Sequence, residues 1–214
     1  LKGVYGFGDH YINDGDFTGE QPRSMMFKSI DHNYGLMLYQ RYSGLKGTTV
    51  TVGLHYNIWG GRASNVPIPT SSAIEVELVN KSVSEFAAYI VAQQELFSIL
   101  SINAGIRYEN NSVFGGEWVH QAGANRNIFK GTTVTYIFSN GFRSPNIKEM
   151  YMFAPQNPNL LPERFFNNEI SILQTFWGGR LTAEAAVFLI TGENLIQFAI
   201  VDGKPRNINS GRVN

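Results

Sequence analysis

The feature that most constrains the fold of this chain is a two-residue alternation of apolar and polar side chains, which recurs without any sustained 3.6-residue period. Residues 49–57 and 100–108 are the clearest cases. In the first segment, the alternating sets are Val50, Val52, Leu54 and Tyr56 on one side and Thr51, Gly53 and His55 on the other. Successive side chains of a β-strand point to opposite faces of its sheet. The sequence therefore predicts strands with one apolar and one polar face.

The composition narrows the class of β-protein. Only 16% of the 214 residues are charged, against roughly 25% in soluble domains, whereas aromatic residues reach 13%. The 17 basic and 17 acidic residues cancel, which argues against a nucleic-acid partner. Cysteine is absent, so disulfides, thiolate metal sites and cysteine nucleophiles are excluded. No apolar run approaches the ~18 residues of a transmembrane helix. These features favour a β-protein that meets lipid or a partner surface.

Short and long connections alternate along the predicted strands. Tight turns fall at 44–47, 96–97, 129–131 and 177–180, and longer polar segments fall at 9–23, 59–83, 110–118, 142–165 and 192–206. About ten strands result, and residues 24–43 have to form one long strand unless it breaks near 31–33. Outer-membrane barrels have short periplasmic turns and long extracellular loops. The pattern therefore predicts an all-β fold, an antiparallel up-and-down transmembrane β-barrel.

Aromatic residues near the strand ends fit the girdles that such barrels place at both membrane interfaces. They are Tyr42, Tyr56, Trp59, Tyr108, Trp118, Phe129, Phe138, Phe176 and Trp177. Val50, Val52, Leu54 and Tyr56 are then expected to meet lipid, and Thr51, Gly53 and His55 a wet lumen. A soluble β-sandwich remains the alternative, in which strand-end aromatics are ordinary packing residues.

The chain is expected to be a partial barrel. Lipid tolerates no open strand edges, because each backbone N–H and C=O in hydrocarbon needs a hydrogen-bond partner. Each strand with its connection uses roughly 20 residues here, so a barrel of about 22 strands needs more than ~400 residues. We therefore expect residues 1–214 to be one fragment of a barrel domain.

Several short segments resemble the TonB-dependent outer-membrane receptor family. They are residues 141–145 (Gly-Phe-Arg-Ser-Pro), 147–151 (Ile-Lys-Glu-Met-Tyr), 157–160 (Asn-Pro-Asn-Leu) with Pro162 and Glu163, 104–108 (Ala-Gly-Ile-Arg-Tyr), and 207–211 (Asn-Ile-Asn-Ser-Gly). The matches keep the order of the family from about residue 84 to the end of the chain, whereas residues 1–83 show only a compatible pattern.

The resemblance implies a plugged barrel in the outer membrane of a Gram-negative bacterium. Such a barrel imports a scarce nutrient with energy passed through TonB. The expected partners are outer-membrane lipid, a small nutrient such as an iron–siderophore complex, and TonB, which would act through an N-terminal region outside this chain. The plug, the TonB box and the terminal barrel strand are also expected to lie outside it. The chain is expected to be neither an enzyme nor the holder of a resident cofactor or metal.

The cargo remains open at this point. Residues 142–145 (Phe-Arg-Ser-Pro) and 157–160 (Asn-Pro-Asn-Leu) resemble paired segments of haem receptors within the family, which place a haem-ligating histidine between them. Residues 146–156 contain no histidine, and the remaining acceptors there are Glu149 and Tyr151. A haem or cobalamin receptor of the same family is therefore one alternative. A passive porin or barrel adhesin is another.

The loops 59–83 and 142–165 are the best candidates for ligand capture, from their length and composition. The second is also rich in aromatic residues, and long ordered loops of this kind often carry function. The candidate ligand-binding residues are Arg143, Lys148, Glu149, Tyr151, Phe153, Asn157 and Asn159. Arg143 could bind a carboxylate or phosphate of the ligand. The structural alternative, which we favour, is that it pairs with Glu149 or Glu163.

Other polar residues give weaker signals. The four histidines lack metal-ligand spacing. Asp14-Gly-Asp16 resembles part of a calcium loop but lacks the EF-hand frame, so a solvated loop is the favoured interpretation. Gly6-Phe-Gly8 and Gly115-Gly116 follow no strand-to-helix unit, so phosphate binding is unsupported.

Overall fold

The computed structural model describes residues 1–13, 24–152 and 155–213, and most of them lie in one antiparallel sheet. Nine strands form this sheet in chain order, and each pairs only with its neighbours in sequence. They are β1 (Lys2–Ile12), β2 (Met25–Tyr42), β3 (Thr48–Pro67), β4 (Val76–Leu96), β5 (Leu100–Asn111), β6 (Gly115–Phe129), β7 (Thr132–Arg143), β8 (Glu163–Phe176) and β9 (Leu181–Glu193). The predicted all-β, up-and-down fold is confirmed, and the sheet is open between β1 and β9.

The tight turns lie at one end of the sheet, as predicted. They connect β2 to β3, β4 to β5, β6 to β7 and β8 to β9, and the last contains a short 3₁₀ turn at Trp177–Gly179. The segment 24–43 contains the single strand β2, which pairs with β3 along its whole length. The suspected break near 31–33 does not occur.

The predicted lengths of the opposite connections were partly wrong. Residues 59–83 are not one loop, because β3 continues to Pro67 and β4 begins at Val76, which leaves 68–75 between them. Only 112–114 remain of the predicted loop 110–118. The polar residues at these strand ends are paired through their backbones. A β-ladder satisfies the backbone whichever side chains it carries, so polarity alone did not mark the ends of the strands.

Two further long segments also differ from prediction. The segment 192–206 contains most of a second, two-stranded sheet, in which β10 (Ile196–Val201) pairs with β11 (Lys204–Asn209). After this hairpin the chain returns to the main sheet, and Val213 pairs antiparallel with Gly192. The segment 9–23 is shorter than predicted at its start, because β1 extends to Ile12. Its remainder, 14–23, lies outside the described residues.

The two faces of the sheet differ as the alternation predicted. Leu38, Val52, Leu54, Phe86 and Ile90 project from one face and are 44–52% exposed. We call this the apolar face. The face that carries Gly53, His55, Tyr89, Arg107 and Gln121 is called the polar face. Trp59 was wrongly assigned to an aromatic girdle. As an odd-numbered residue of β3 it shares the polar face with His55, because side chains alternate along a strand.

Exposed aromatic side chains accompany the tight turns. They include Tyr42 before the first turn, Phe97 in the second, Phe129 at the third and Trp177 in the fourth. Within the described ranges, no helix is long and apolar enough to cross a membrane.

Candidate functional site

The candidate site is built by loop 144–162, which leaves β7 and returns into β8. Its only described helical element is one π-helical turn, Lys148–Met152. Asn146 and Glu149 stabilise the start of this turn reciprocally. The backbone N–H of Glu149 donates to Asn146 Oδ1 at 2.8 Å, and the backbone N–H of Asn146 donates to Glu149 Oε2 at 2.9 Å. This is the arrangement of a capping box. It explains why so short a turn forms beside Pro145.

The π-helical turn packs on the polar face of the sheet. It contacts β4, which is not adjacent to β7 or β8 in the sheet. Met150 is only 4% exposed, and Val79, Val83 and Ala87 on the polar face of β4 are also buried. Lys81 Nζ lies 5.2 Å from the centre of the Tyr151 ring, a cation–π contact. The described part of loop 144–162 that carries this turn therefore packs on the polar face rather than extending away from the sheet.

Arg143, the last residue of β7, joins the two ends of this loop. Its Nε donates to Glu163 Oε2 at 2.5 Å, and an Nη atom donates to Glu149 Oε2 at 3.1 Å. Glu163 Oε1 in turn accepts the backbone N–H of Ile196 at 2.7 Å. Arg143 thus pairs with both glutamates, as the structural alternative predicted. Its guanidinium is engaged by the protein itself.

The carboxyl group of Glu163 is buried beside this guanidinium. Glu163 begins β8 at the loop end, before the apolar-face residues Ile170 and Ile172 of the same strand. The hydrogen bond from Arg143 lowers the pKa of the Glu163 carboxyl below its ordinary value, and the bond from the Ile196 N–H acts in the same direction against the effect of burial. Glu163 therefore stays charged at neutral pH.

Asparagine side chains connect loop 144–162 to the β10–β11 hairpin. Asn157 is 8% exposed, and its Nδ2 donates to the carbonyl of Asn207 at 2.8 Å. Asn207 Nδ2 donates to the carbonyl of Glu149 at 3.2 Å. Asn209 pairs with both backbone groups of Leu161, at 2.8 and 2.9 Å. The segments 157–160 and 207–211, which are far apart in sequence, therefore form one hydrogen-bonded unit.

The seven candidate ligand-binding residues lie in different environments. Arg143, Glu149 and Asn157 hold the loop together through the bonds described above. Lys148 and Asn159 are exposed, and Tyr151 is half-buried beneath Lys81. Phe153 lies outside the described residues, as does the Asp14-Gly-Asp16 segment. The structure thus brings the six described residues of the seven together on loop 144–162 and the adjoining end of β7, in different environments.

A cavity of about 370 Å³ lies between this loop and the polar face of β2 and β3. We call it the glycine-floored cavity, because Gly60 and Gly61 line it. Its other lining residues include Phe27, Asp31, Trp59, Ala63, Ile147 and Met152. Sequence reasoning missed this cavity. The signal was the Trp-Gly-Gly run at 59–61, which was read as the start of a loop.

The middle of the polar face carries a smaller charged group. Arg107 Nε donates to Glu109 Oε2 at 3.0 Å, and Arg107 lies 3.3 Å from His55 Nδ1. His55 therefore faces the polar side, as predicted. Among the described residues, no three His, Asp or Glu side chains converge as a metal site.

Solved structures with the same fold are receptors and transporters that are much longer than this chain. The siderophore receptor PirA from Pseudomonas aeruginosa matches 87% of this chain with a TM-score of 0.68 and 20% identity. The copper transporter OprC matches 97% with a TM-score of 0.80 and 11% identity. The hemophore receptor HasR of Serratia marcescens, in complex with HasA and heme, matches 88% with a TM-score of 0.64 and 14% identity. The chain covers 35%, 37% and 38% of these three structures, respectively.

At such identities the structural likeness establishes the fold alone. The family model described as "TonB dependent receptor-like, beta-barrel" matches residues 2–214, which is nearly the whole chain. The match covers the segments 104–108, 141–163 and 207–211, which the sequence comparison had singled out. The chain belongs to the TonB-dependent receptor β-barrel family.

Proposed function

We propose that this protein takes up an iron–siderophore complex, or a similarly scarce nutrient, across the outer membrane of a Gram-negative bacterium, with energy supplied through TonB. The observation that carries the proposal is the inward course of loop 144–162. A loop that packs on the polar face of β4 lines the interior of a closed barrel, where a ligand passes. A loop that served only as a surface connection would have no reason to place its π-helical turn against β4 and to bury Met150.

The apolar face supports the membrane part of the proposal. Large apolar side chains on neighbouring strands, such as Leu38, Leu54 and Ile90, are all about half exposed. Soluble monomers rarely expose a continuous apolar surface of this extent. In an outer-membrane barrel the same residues contact lipid. The aromatic residues at the tight turns then lie at the periplasmic interface.

The choice of cargo follows from the loop and from the relatives. Siderophore receptors are among the structural neighbours, and so are a copper transporter and a hemophore receptor. The lack of histidine in 146–156 argues against the haem ligation suggested by the paired segments. Membership of the TonB-dependent family favours an energised receptor over a passive porin or adhesin. An iron complex is therefore the cargo we propose, and haem or cobalamin is the alternative.

Growth of a deletion strain tests the cargo. The strain is grown under iron limitation on single iron sources, namely a panel of ferric siderophores and haem, and separately on limiting cobalamin. We expect slower growth on at least one ferric siderophore, restored by the plasmid-borne gene. Unchanged growth on every siderophore, together with a defect on haem or cobalamin alone, would replace the siderophore proposal with the corresponding alternative.

A further inference from the structure

The glycine-floored cavity has the shape of a binding site rather than of loose packing. Gly60 and Gly61, which line it, lie between Trp59 and Ala63 on β3. A Cβ atom on either glycine would collide with backbone atoms of a neighbouring strand, Lys81 and Ser82 for Gly60 and Ile30 and Asp31 for Gly61. Larger residues therefore cannot replace these glycines without moving β2 or β4.

The walls of the cavity are apolar and partly aromatic. Phe27 on β2 and Trp59 on β3 lie on the sheet, and Ile147 and Met152 come from loop 144–162. An aromatic or aliphatic group of moderate size fills a cavity of about 370 Å³ between such walls. The indole face of a tryptophan also attracts cations.

The lining of the cavity also carries a negative charge. Asp31 lines it, and the Asp31 carboxylate lies 3.0 Å from His10 Nε2 on β1. Gly8 leaves room for this pair, because a Cβ atom there would come within 2.6 Å of Asp31 Oδ2. His10 Nε2 occupies only one acceptor position of the carboxylate, which therefore retains acceptor capacity.

Two basic residues near the cavity, Arg62 and Lys81, are engaged elsewhere. Arg62 lines it, but its guanidinium pairs with Glu75 at 3.1 Å and with Glu77 at 2.8 Å. Lys81 is held over the Tyr151 ring, and neither of these two residues lines the cavity. The described lining therefore combines aromatic residues with a carboxylate, which is complementary to an organic cation.

We propose that the glycine-floored cavity binds a cationic group carried on an apolar or aromatic arm, with Asp31 pairing the charge and Trp59 and Phe27 contacting the arm. The assignment of this arm to the transported cargo rests on the proposed receptor function. The cargo is then an iron complex or nutrient that presents an ammonium or guanidinium group at its periphery. A cargo whose periphery is only anionic would be repelled by Asp31.

Two small probes of the same shape and opposite charge test this site. The purified receptor in detergent is titrated with 2-phenylethylammonium and with 3-phenylpropionate, and binding is followed through the ligand resonances in NMR. We expect the ammonium probe to bind at least about tenfold more tightly than the carboxylate probe. Asp31→Asn should remove this preference and Asp31→Glu should restore it. Asp202→Asn, on the β10–β11 turn, is the matched control and should preserve it.

Equal binding of the two probes to the wild type, or an unchanged preference in Asp31→Asn, would overturn the proposal. The titration contains no transport step, so it stays readable even if the receptor transports no iron complex. If the wild-type receptor shows no TonB-dependent uptake but still prefers the ammonium probe, the receptor function is contradicted and the cavity assignment stands. If uptake depends on TonB but the two probes bind equally, the cavity assignment is contradicted and the receptor function stands.

Discussion

Asn157 donates from its Nδ2 to the backbone carbonyl of Asn207 at 2.8 Å, and this bond joins loop 144–162 to the β10–β11 hairpin. Asn157 is nearly buried, and its Oδ1 also accepts the backbone N–H of Asn159 at 3.1 Å. The side-chain amide of Asn157 thus connects the loop and the hairpin, which no β-ladder joins. The loop and the hairpin are expected to open and close as one unit.

Replacing Asn157 tests this connection. Asn157→Ala leaves the Asn207 carbonyl and the Asn159 N–H without their partner, at a cost of about 1–3 kcal/mol. Hydrogen exchange should become faster in both 144–162 and 196–209, and remain unchanged in β4 and β5. Asn159→Ala is the matched control, because the exposed Asn159 joins this network through its backbone N–H. Faster exchange in only one of the two segments would contradict their coupling.

Arg143 should determine how closely loop 144–162 packs on the sheet. Arg143→Gln removes the charge that pairs with Glu149 and the buried Glu163, at a cost of about 2–4 kcal/mol to the packed loop. The 214 residues contain no cysteine, so Lys148→Cys accepts a spin label at a single position in them. We expect the label to become more mobile in the Arg143→Gln background. Arg212→Gln is the control, since Arg212 is exposed and lies 4.0 Å from Glu193. Equal label mobility in the wild-type and Arg143→Gln backgrounds would exclude this role of Arg143.

Acid should weaken the same contact. The pKa of Glu163 is lowered from its ordinary value of 4.5, so the released carboxyl takes up a proton more readily than the paired one. The stabilisation is therefore complete above about pH 4.5 and is lost as the pH falls through the lowered pKa. The spin label at position 148 should become mobile in that acidic range in the wild type. In Arg143→Gln its mobility should change little with pH. A label that becomes mobile only above neutral pH would contradict this assignment.

Gly53 should be sensitive to the smallest enlargement. The Tyr89 ring on β4 lies across Gly53 on β3, and a Cβ atom there would overlap the ring. Gly53→Ala forces the ring to move, at a cost of about 1–3 kcal/mol, and should lower the Tm of the purified receptor in detergent. Gly141→Ala serves as the control, because nothing lies within 4 Å of its added Cβ. A Tm equal to that of the wild type in Gly53→Ala would show that the ring moves aside freely.

A charged side chain should reduce folding on the apolar face of the sheet but be tolerated on the polar face. Leu54→Arg places a cation on the apolar face, which costs about 2–4 kcal/mol near the middle of the bilayer. Ser139→Arg places the same side chain on the polar face, next to Gln121 and Asn167. The yield of folded receptor in the outer membrane should fall for Leu54→Arg only. Equal yields would contradict the assignment of the apolar face to lipid.

The alternation of apolar and polar residues predicted β3 and β5, because successive side chains of these strands lie in apolar and polar surroundings in turn. It failed at the extensions of β3 to Pro67 and of β4 from Val76, where both faces carry polar residues and periodicity disappears although the ladder continues. It also missed the β10–β11 hairpin, whose six-residue strands are too short for a clear period.

The site was predictable in part. Prolines and aromatic residues identified the loop at 142–165, and the charge pairing of Arg143 followed from the nearby glutamates. The inward course of the loop was not predictable, because it depends on contact between the π-helical turn Lys148–Met152 and β4, a strand that lies three strands away from β7. The glycine-floored cavity depends on the same contact, since Ile147 and Met152 close it.

Iron uptake in the presence and absence of a working TonB tests the central claim most directly. Cells that express the receptor are given a panel of ⁵⁵Fe-labelled siderophore complexes, and accumulation is compared with that of an otherwise identical strain without TonB. We expect at least one complex to accumulate only when both the receptor and TonB are present. Equal accumulation in the two strains, or no receptor-dependent accumulation of any complex, would contradict the proposal that this barrel is an energised iron-complex receptor.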